Sequence, residues 1–165
     1  MILRLTRTLN TQLKGGTLAA LQLHENPLLD WSVRLFVVEA DEYFLLCNTP
    51  SLYCVVLDHA EIVNANQFSE RVGGVFQAVL AGAGRGADDH EVGSVRFAKY
   101  LDRSVTGSMN ELAAHATAFL ADGGLSVHEV GVRLNDILLS ALASGSSKYG
   151  RPRDEFAALV ARAGG

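Results

Sequence analysis

Apolar and polar positions alternate in several short segments, and this period indicates strands. Residues 2–5 are mostly apolar and indicate a short strand, after which leucines at helical spacing continue up to a glycine pair. The alternation in 31–37 predicts a half-buried strand. Polar turns then separate the apolar runs 43–47 and 52–57 from it and from each other. We therefore predict an antiparallel meander of three strands, preceded by a strand and a helix.

The second half of the chain is predominantly helical in its spacing. The period lengthens after Asn66, and alternation returns only briefly at 94–98. Two Ser-x-x-Glu capping boxes, Ser108–Glu111 and Ser126–Glu129, predict where the next two helices begin. Pro152 is well placed to open a last short helix. The apolar stripe of the helix after Ser126 consists of Val127, Val130, Leu134, Ile137, Leu138 and Ala141.

These elements predict an α+β fold, in which an antiparallel β-meander of about four to five strands packs against four to five helices. The 165 residues suit a single domain, 1–165. Hydrophobic residues make up 48% of the chain and charged residues 19%, a balance that supports a packed core. Helices on one face would leave a sheet edge and a second face for a partner or another copy.

The net charge of the chain and its N-terminal residues indicate its cellular location and the classes of partner that it binds. The formal net charge is −4, so no general positive field favours nucleic acid. Arg4, Arg7 and Lys14 interrupt the apolar positions near the N-terminus, where a signal peptide or membrane span would need an unbroken stretch. We therefore expect a cytoplasmic protein that does not bind membranes, with nucleic acid an unexpected partner.

The two cysteines, Cys47 and Cys54, lie in neighbouring apolar runs. Free cysteine in such a run behaves as a small hydrophobic residue, so buried, reduced thiols are the favoured interpretation. A disulfide across a hairpin is the alternative. The sequence contains a single tryptophan, Trp31, and tyrosines at 43, 53 and 100 in or beside strands. Core packing is favoured for most of these aromatic residues over display on an interaction surface.

The polar run before one capping box is a candidate anion-binding site. A helix N-terminus offers free N–H groups and partial positive charge, and an arginine beside it could complete a site. The candidate ligand-binding residues are Arg103, Ser104, Thr106, Ser108 and Asn110. The structural interpretation is favoured, because Ser108 and Glu111 would satisfy each other as a capping box. The spacing is not that of a P-loop.

Two further segments are weaker candidates for a site. Asp88, Asp89, His90 and Glu91 could contribute to a cation site, but adjacent loop residues rarely converge on one ion, and a solvated acidic loop is favoured. The glycine-rich run 82–86 follows a predicted helix instead of a strand, so it is interpreted as a flexible connector. We predict no metal and no cofactor.

Several segments carry a family resemblance. The strings Val95–Lys99 and Asp102–Asn110, together with Glu25–Trp31 and the N-terminal Ile2–Thr6, resemble the DUF6933 family of uncharacterised bacterial proteins. The resemblance covers nearly the whole chain. It implies a single intracellular domain, and no activity, cofactor or catalytic residue comes with it.

Two functional hypotheses follow. Because no catalytic spacing occurs, the first is a small non-enzymatic binding or regulatory module with a protein partner or a second copy as its ligand. The alternative is a small enzyme or ligand-binding protein that recognises an anionic group at Arg103–Asn110. A concave pocket around Arg103 would favour the alternative, whereas an exposed apolar patch would favour the module.

Overall fold

The computed structural model describes residues 1–59, 62–85, 93–101 and 103–163. These residues form a five-stranded sheet in the order β4-β3-β2-β1-β5 with helices packed against it. The strands are β1 (Ile2–Leu5), β2 (Asp30–Val38), β3 (Asp41–Asn48), β4 (Cys54–Asp58) and β5 (Arg96–Ala98). The helices are α1 (Arg7–Gln12), α2 (Ala65–Gly82), α3 (Arg103–Ala121), α4 (Val127–Leu134) and α5 (Pro152–Ala163). Single 3₁₀ turns occur at Pro27–Leu29 and Ser140–Leu142.

The predicted α+β class and the numbers of strands and helices are confirmed, but the sheet is mixed instead of purely antiparallel. Strands β2, β3 and β4 form the expected antiparallel meander. Strand β1, by contrast, pairs in parallel with both β2 and β5. Parallel neighbours need a long crossover, and α1 with the segment that follows it supplies one between β1 and β2. The sequence predicted the first strand and the first helix. It did not indicate that the chain then re-enters the sheet next to β1 and parallel to it.

Helices cover both faces of the sheet, so the second face that we expected to be free is occupied. On one face, side chains of α1, α2 and α5 pack around Trp31 and Phe44. On the other, α3 and α4 pack against alternate residues of the same strands, including Leu45 and Val56. The near-continuous apolar runs of β3 and β4 are typical of strands that are buried on both sides.

Trp31 lies in the core, as the favoured interpretation predicted. Its side chain is 2% exposed, and its indole N–H donates to the carbonyl of Leu28 at 2.8 Å. The rings of Phe76 in α2 and Phe156 in α5 meet it edge-on, each with a centroid separation of 6.3 Å. These ring contacts pack α2 and α5 against one face of the sheet.

The other face contains a fully buried charge, Arg4 of β1. All five of its N–H groups have acceptors: Asp30 takes two, at 2.7 Å each, and main-chain carbonyls take the others. Those carbonyls belong to Leu21, Gln22 and Lys99 and lie 2.9–3.1 Å from the guanidinium nitrogens. Arg4 therefore joins β1, β2, the segment after α1 and the end of β5. In the sequence it was only an interruption of an apolar run.

One of the two predicted capping boxes is wrong. Helix α3 already begins at Arg103, so Ser108 lies in its second turn, where it is buried and is not a cap. The other box is confirmed: Ser126 accepts from the Glu129 N–H, and the Glu129 carboxylate accepts from the Ser126 N–H at 2.8 Å. The Ser126 hydroxyl also donates to this carboxylate at 2.6 Å, and that bond, together with the one from the Ser126 N–H, lowers the pKa of Glu129. Within the described residues, no helix is both long and apolar enough to cross a membrane.

Candidate functional site

Strand β4 is an edge of the sheet, and the register decides which of its main-chain groups face outward. Asn48 donates to the Tyr53 carbonyl and His59 donates to the Glu42 carbonyl, which fixes the bonded pairs of the β3–β4 ladder. Bonded and non-bonded pairs alternate along an antiparallel ladder. The N–H and C=O groups of Cys54, Val56 and Asp58 therefore point away from β3.

The side chain of Asn135, just beyond α4, takes the place of a neighbouring strand at Cys54. Its Oδ1 accepts from the Cys54 N–H at 2.8 Å, and its Nδ2 donates to the Cys54 carbonyl at 2.8 Å and to the Gly131 carbonyl at 3.0 Å. Asn135 is 5% exposed, so these bonds lie out of water. The carboxamide thus satisfies main-chain groups that an edge strand would otherwise leave open.

This contact also ends α4 earlier than its apolar stripe predicts. The stripe continues to Ala141, yet the helix stops at Leu134, and Asn135 is its C-cap. Ile137, Leu138 and Ala141 therefore lie beyond the helix, and Leu138 is 53% exposed. The tertiary bonds of Asn135 replace continuation of the helix.

Gly131 lets α4 lie close to the strand. A Cβ atom at this position would be 3.3 Å from the Val56 nitrogen and 3.6 Å from the Val55 Cα. Both are main-chain atoms of a hydrogen-bonded strand, which cannot move aside as a flexible side chain could. A side chain at 131 would therefore push the helix away from the edge.

We expect Gly131→Ala to destabilise the protein even though alanine favours helices by about 1 kcal/mol over glycine. Gly74→Ala in α2 is the matched control, because a Cβ there meets no atom within 4 Å. Urea unfolding should show a lower unfolding free energy for Gly131→Ala and an unchanged or higher one for Gly74→Ala. Equal gains in both variants would contradict the close approach of α4 to β4.

A cleft of about 650 Å³ opens between this edge, α2, α4 and α5. Its floor is the main chain and side chains of 53–58. Among the described residues, nothing hydrogen-bonds to the outward N–H and C=O of Val56 at this floor. The apolar side chains that line the cleft are Tyr53, Val55, Val56, Leu57, Val75, Ala78, Val79, Ala83, Val127, Val132, Phe156 and Ala157.

Polar groups lie at the margin of the cleft. Arg71 of α2 pairs with Asp58 of β4 at a nitrogen-to-oxygen distance of 3.6 Å, and both side chains are more than half exposed. Arg153 of α5 forms ion pairs with Asp136 and Asp154, outside the cleft lining. The lining thus contains two guanidinium groups against one carboxylate. Exposed pairs of this kind are weak and can exchange partners.

Tyr53 forms part of the apolar wall. Its ring stacks on Phe156 with a centroid separation of 4.4 Å and an interplanar angle of 22°. Burial, with a smaller contribution from Cys54, raises the pKa of its phenol, which therefore stays neutral at physiological pH. The stack joins Tyr53 to α5, and Tyr53 presents an aromatic surface to the cleft.

The residues of the predicted anion site differ in exposure and in partners. Arg103 and Ser104 are exposed in the first turn of α3, whereas Ser108 is buried. Asn110 is hydrogen-bonded to the Arg34 guanidinium of β2. Thr106 is half-buried and has partners of its own. None of these residues lines the cleft described above, and the anion site stays a prediction.

The other candidates have different outcomes. Asp88–Glu91 and Gly86 lie outside the described residues, and in the described part no three His, Cys, Asp or Glu side chains come together as metal ligands. Cys47 and Cys54 are free and buried, as the favoured interpretation predicted. The aromatic side chains at 43 and 100 contact Phe36 and the Val33 carbonyl.

Sequence reasoning missed the cleft entirely. Its walls come from β4, α2, α4 and α5, which are separated along the chain, and no local motif marks it. One weak signal existed. A glycine and an asparagine four residues apart, Gly131 and Asn135, interrupt an otherwise apolar helical stripe. Such a pair is typical of a helix that closely approaches another backbone.

Comparison with family models matches residues 2–155 to a family described as a domain of unknown function, DUF6933. The chain belongs to the DUF6933 family. The match includes all five strands, α1 to α4 and the first four residues of α5, so the residues that line the cleft of this DUF6933 chain lie inside the matched region except for Phe156 and Ala157. No curated protein matches the chain, and no solved structure matches it.

Proposed function

We propose that the protein is a non-enzymatic binding module whose ligand is a small, mainly apolar molecule with an acidic group. The observation that carries the proposal is the cleft of about 650 Å³ with an apolar lining beside the β4 edge. Ligand sites for small molecules have volumes of about 300–1,000 Å³ and combine apolar walls with few polar groups. The lining includes the Cys54 thiol and the His128 imidazole, but the Cys54 sulfur lies 3.6 Å from the Asn135 oxygen and, among the described residues, no hydrogen bond joins it to a base, which is why we propose binding without chemistry.

A small ligand fits this site better than an added peptide strand. Strand addition needs a free sheet edge along several residues. Here α4 lies against the edge, with Gly131 next to Val56 and Asn135 bonded to Cys54. The end of β4, at Leu57 and Asp58, lines the cleft beside α2 and α5.

The charges at the margin support an acidic group on the ligand. Arg71 lines the cleft and is paired with Asp58 in an exposed contact of 3.6 Å, whereas Arg153 is already paired with Asp136 and Asp154. A carboxylate on the ligand would compete with Asp58 for the Arg71 guanidinium. The apolar part of the ligand would then lie against Val75, Val79 and Val132.

Dodecanoate is a suitable probe, with dodecanol as its uncharged counterpart. We expect dodecanoate to bind the native protein in calorimetry and to raise its thermal midpoint, because binding to the native state alone stabilises it. Arg71→Gln should weaken dodecanoate binding about fivefold, as expected for an exposed ion pair of about 1 kcal/mol, and leave dodecanol binding unchanged.

Two tryptophan variants of α2 test the location of the site. Ala78 lines the cleft, and Ala81 lies three residues further along the same helix, is also exposed and does not line it. Ala78→Trp should abolish dodecanoate binding, and Ala81→Trp should bind as the parent chain does. If neither ligand binds the parent chain, or if both variants bind equally well, the proposed function is wrong.

A further inference from the structure

Cys47 and Cys54 are directly opposite each other on β3 and β4. The pair is non-hydrogen-bonded within the ladder, because the main chain of Cys54 bonds outward to Asn135. In such pairs the Cα atoms are about 4.5 Å apart and the side chains are closest, which lies within the range that a disulfide spans. Both side chains point to the face that α3 and α4 cover.

We propose that Cys47 and Cys54 are an oxidation site, at which a small hydroperoxide converts the two thiols into a disulfide between β3 and β4. The inference rests on the register of β3 and β4, which places the two cysteines opposite each other. It does not depend on the proposed ligand. A pair of buried cysteines with no functional role could occupy unrelated positions of the core. These two occupy the one cross-strand arrangement in which a disulfide needs no shift of register.

Cys54 is the member of the pair that adjoins the cleft. Cys54 is 1% exposed, yet it is one of the residues that line the cleft floor, whereas Cys47 lies behind it and is fully buried. Burial and the hydrogen bond with the adjacent Cys54 thiol raise the pKa of Cys47, which keeps it a protonated thiol. Because Cys54 adjoins the cleft and Cys47 does not, Cys54 is the residue that the peroxide oxidises first.

The reaction balances in two steps. The Cys54 sulfur attacks one peroxide oxygen, so that an S–O bond forms, the O–O bond breaks, and the thiol proton leaves with the second oxygen, as water from hydrogen peroxide or as an alcohol from an organic hydroperoxide. The Cys47 sulfur then attacks the sulfenic sulfur of Cys54, the S–S bond forms, and the hydroxyl group leaves with the Cys47 proton as water. Two thiols lose two electrons to one peroxide molecule.

Hydrogen peroxide added to the native 165-residue chain tests the proposal. We expect the intact mass to fall by two hydrogens and both thiols to resist alkylation after denaturation, until a reductant restores them. The chain contains only these two cysteines, so an intramolecular product identifies the pair. The oxidised protein should also keep or raise its thermal midpoint, because the cross-link joins residues that already face each other.

Single variants test the order of the steps. Cys47→Ala should leave Cys54 as a sulfenic acid that dimedone traps, whereas Cys54→Ala should leave Cys47 unmodified over the same time. The proposal is wrong if the native chain only gains oxygen, if both thiols still alkylate, or if the disulfide forms with a large fall in the midpoint.

Discussion

Replacement of Arg4 by methionine is expected to lower the free energy of unfolding by about 3–5 kcal/mol. This is the typical cost of removing one partner of a buried ion pair, because the other charge stays buried and unpaired. Arg4 and Asp30 are both 0% exposed and make two hydrogen bonds of 2.7 Å. Without the guanidinium, the Asp30 carboxylate would keep only the main-chain N–H of His24, at 3.0 Å, as a described donor. Three main-chain carbonyls would lose donors as well.

Chemical unfolding followed by tryptophan fluorescence measures this effect, because Trp31 is the only tryptophan and is next to Asp30. Arg71→Met is the matched control, since it removes an arginine from an exposed ion pair with Asp58 and should cost less than about 1 kcal/mol. Similar losses in the two variants would contradict the role of Arg4 as the centre of a buried network.

The double variant Arg4→Met with Asp30→Leu distinguishes two effects: the cost of the unpaired Asp30 carboxylate, and the loss of the hydrogen bonds from Arg4 to main-chain carbonyls. If only the unpaired carboxylate mattered, the double variant would recover the stability of the parent chain. We expect partial recovery instead, because the carbonyls of Leu21, Gln22 and Lys99 would still lack their donor.

Asn135→Leu is expected to lower the free energy of unfolding by about 3 kcal/mol. The substitution keeps the approximate size of the side chain but removes three hydrogen bonds, and each buried main-chain group left without a partner costs about 1–3 kcal/mol. Two of those groups belong to Cys54 at the edge of the sheet. The junction of α4 with β4 should therefore loosen.

Hydrogen exchange gives a local measure of the same effect. The Cys54 amide should exchange much faster in Asn135→Leu, because it loses its acceptor, while the amides of β2 should change only with global stability. Asn66→Leu is the control, since Asn66 is exposed on α2 and should change stability by less than about 0.5 kcal/mol. Unchanged exchange at Cys54 would show that the carboxamide does not cap the edge strand.

The binding hypothesis and the oxidation site meet at the same strand. Cys54 lines the cleft, donates its main-chain N–H to Asn135 and faces Cys47 across the ladder. Oxidation would draw its sulfur towards Cys47 and away from the Asn135 oxygen, now 3.6 Å from it. The junction of β4 and α4 is therefore the part of the molecule in which experiments on ligand binding, oxidation and stability bear on one another.

Local features of this protein follow from the sequence itself. Alternation at 31–37 and the polar turns after it predict the meander of β2 to β4, because period and turn chemistry act between near neighbours. The Ser126–Glu129 box predicts the start of α4 for the same reason. The burial of Trp31 and of both cysteines also follows from the apolar runs around them.

The tertiary structure decides what depends on residues that are distant in the chain. Nothing near β1 in the sequence indicates that it pairs in parallel with two strands, or that Arg4 finds acceptors in three other segments. Ser108 has the spacing of a cap, yet α3 starts five residues earlier. Asn135 ends α4 because its carboxamide meets a strand 81 positions away. Spacing along the chain specifies elements, but partners across the core decide where helices end and where the cleft forms.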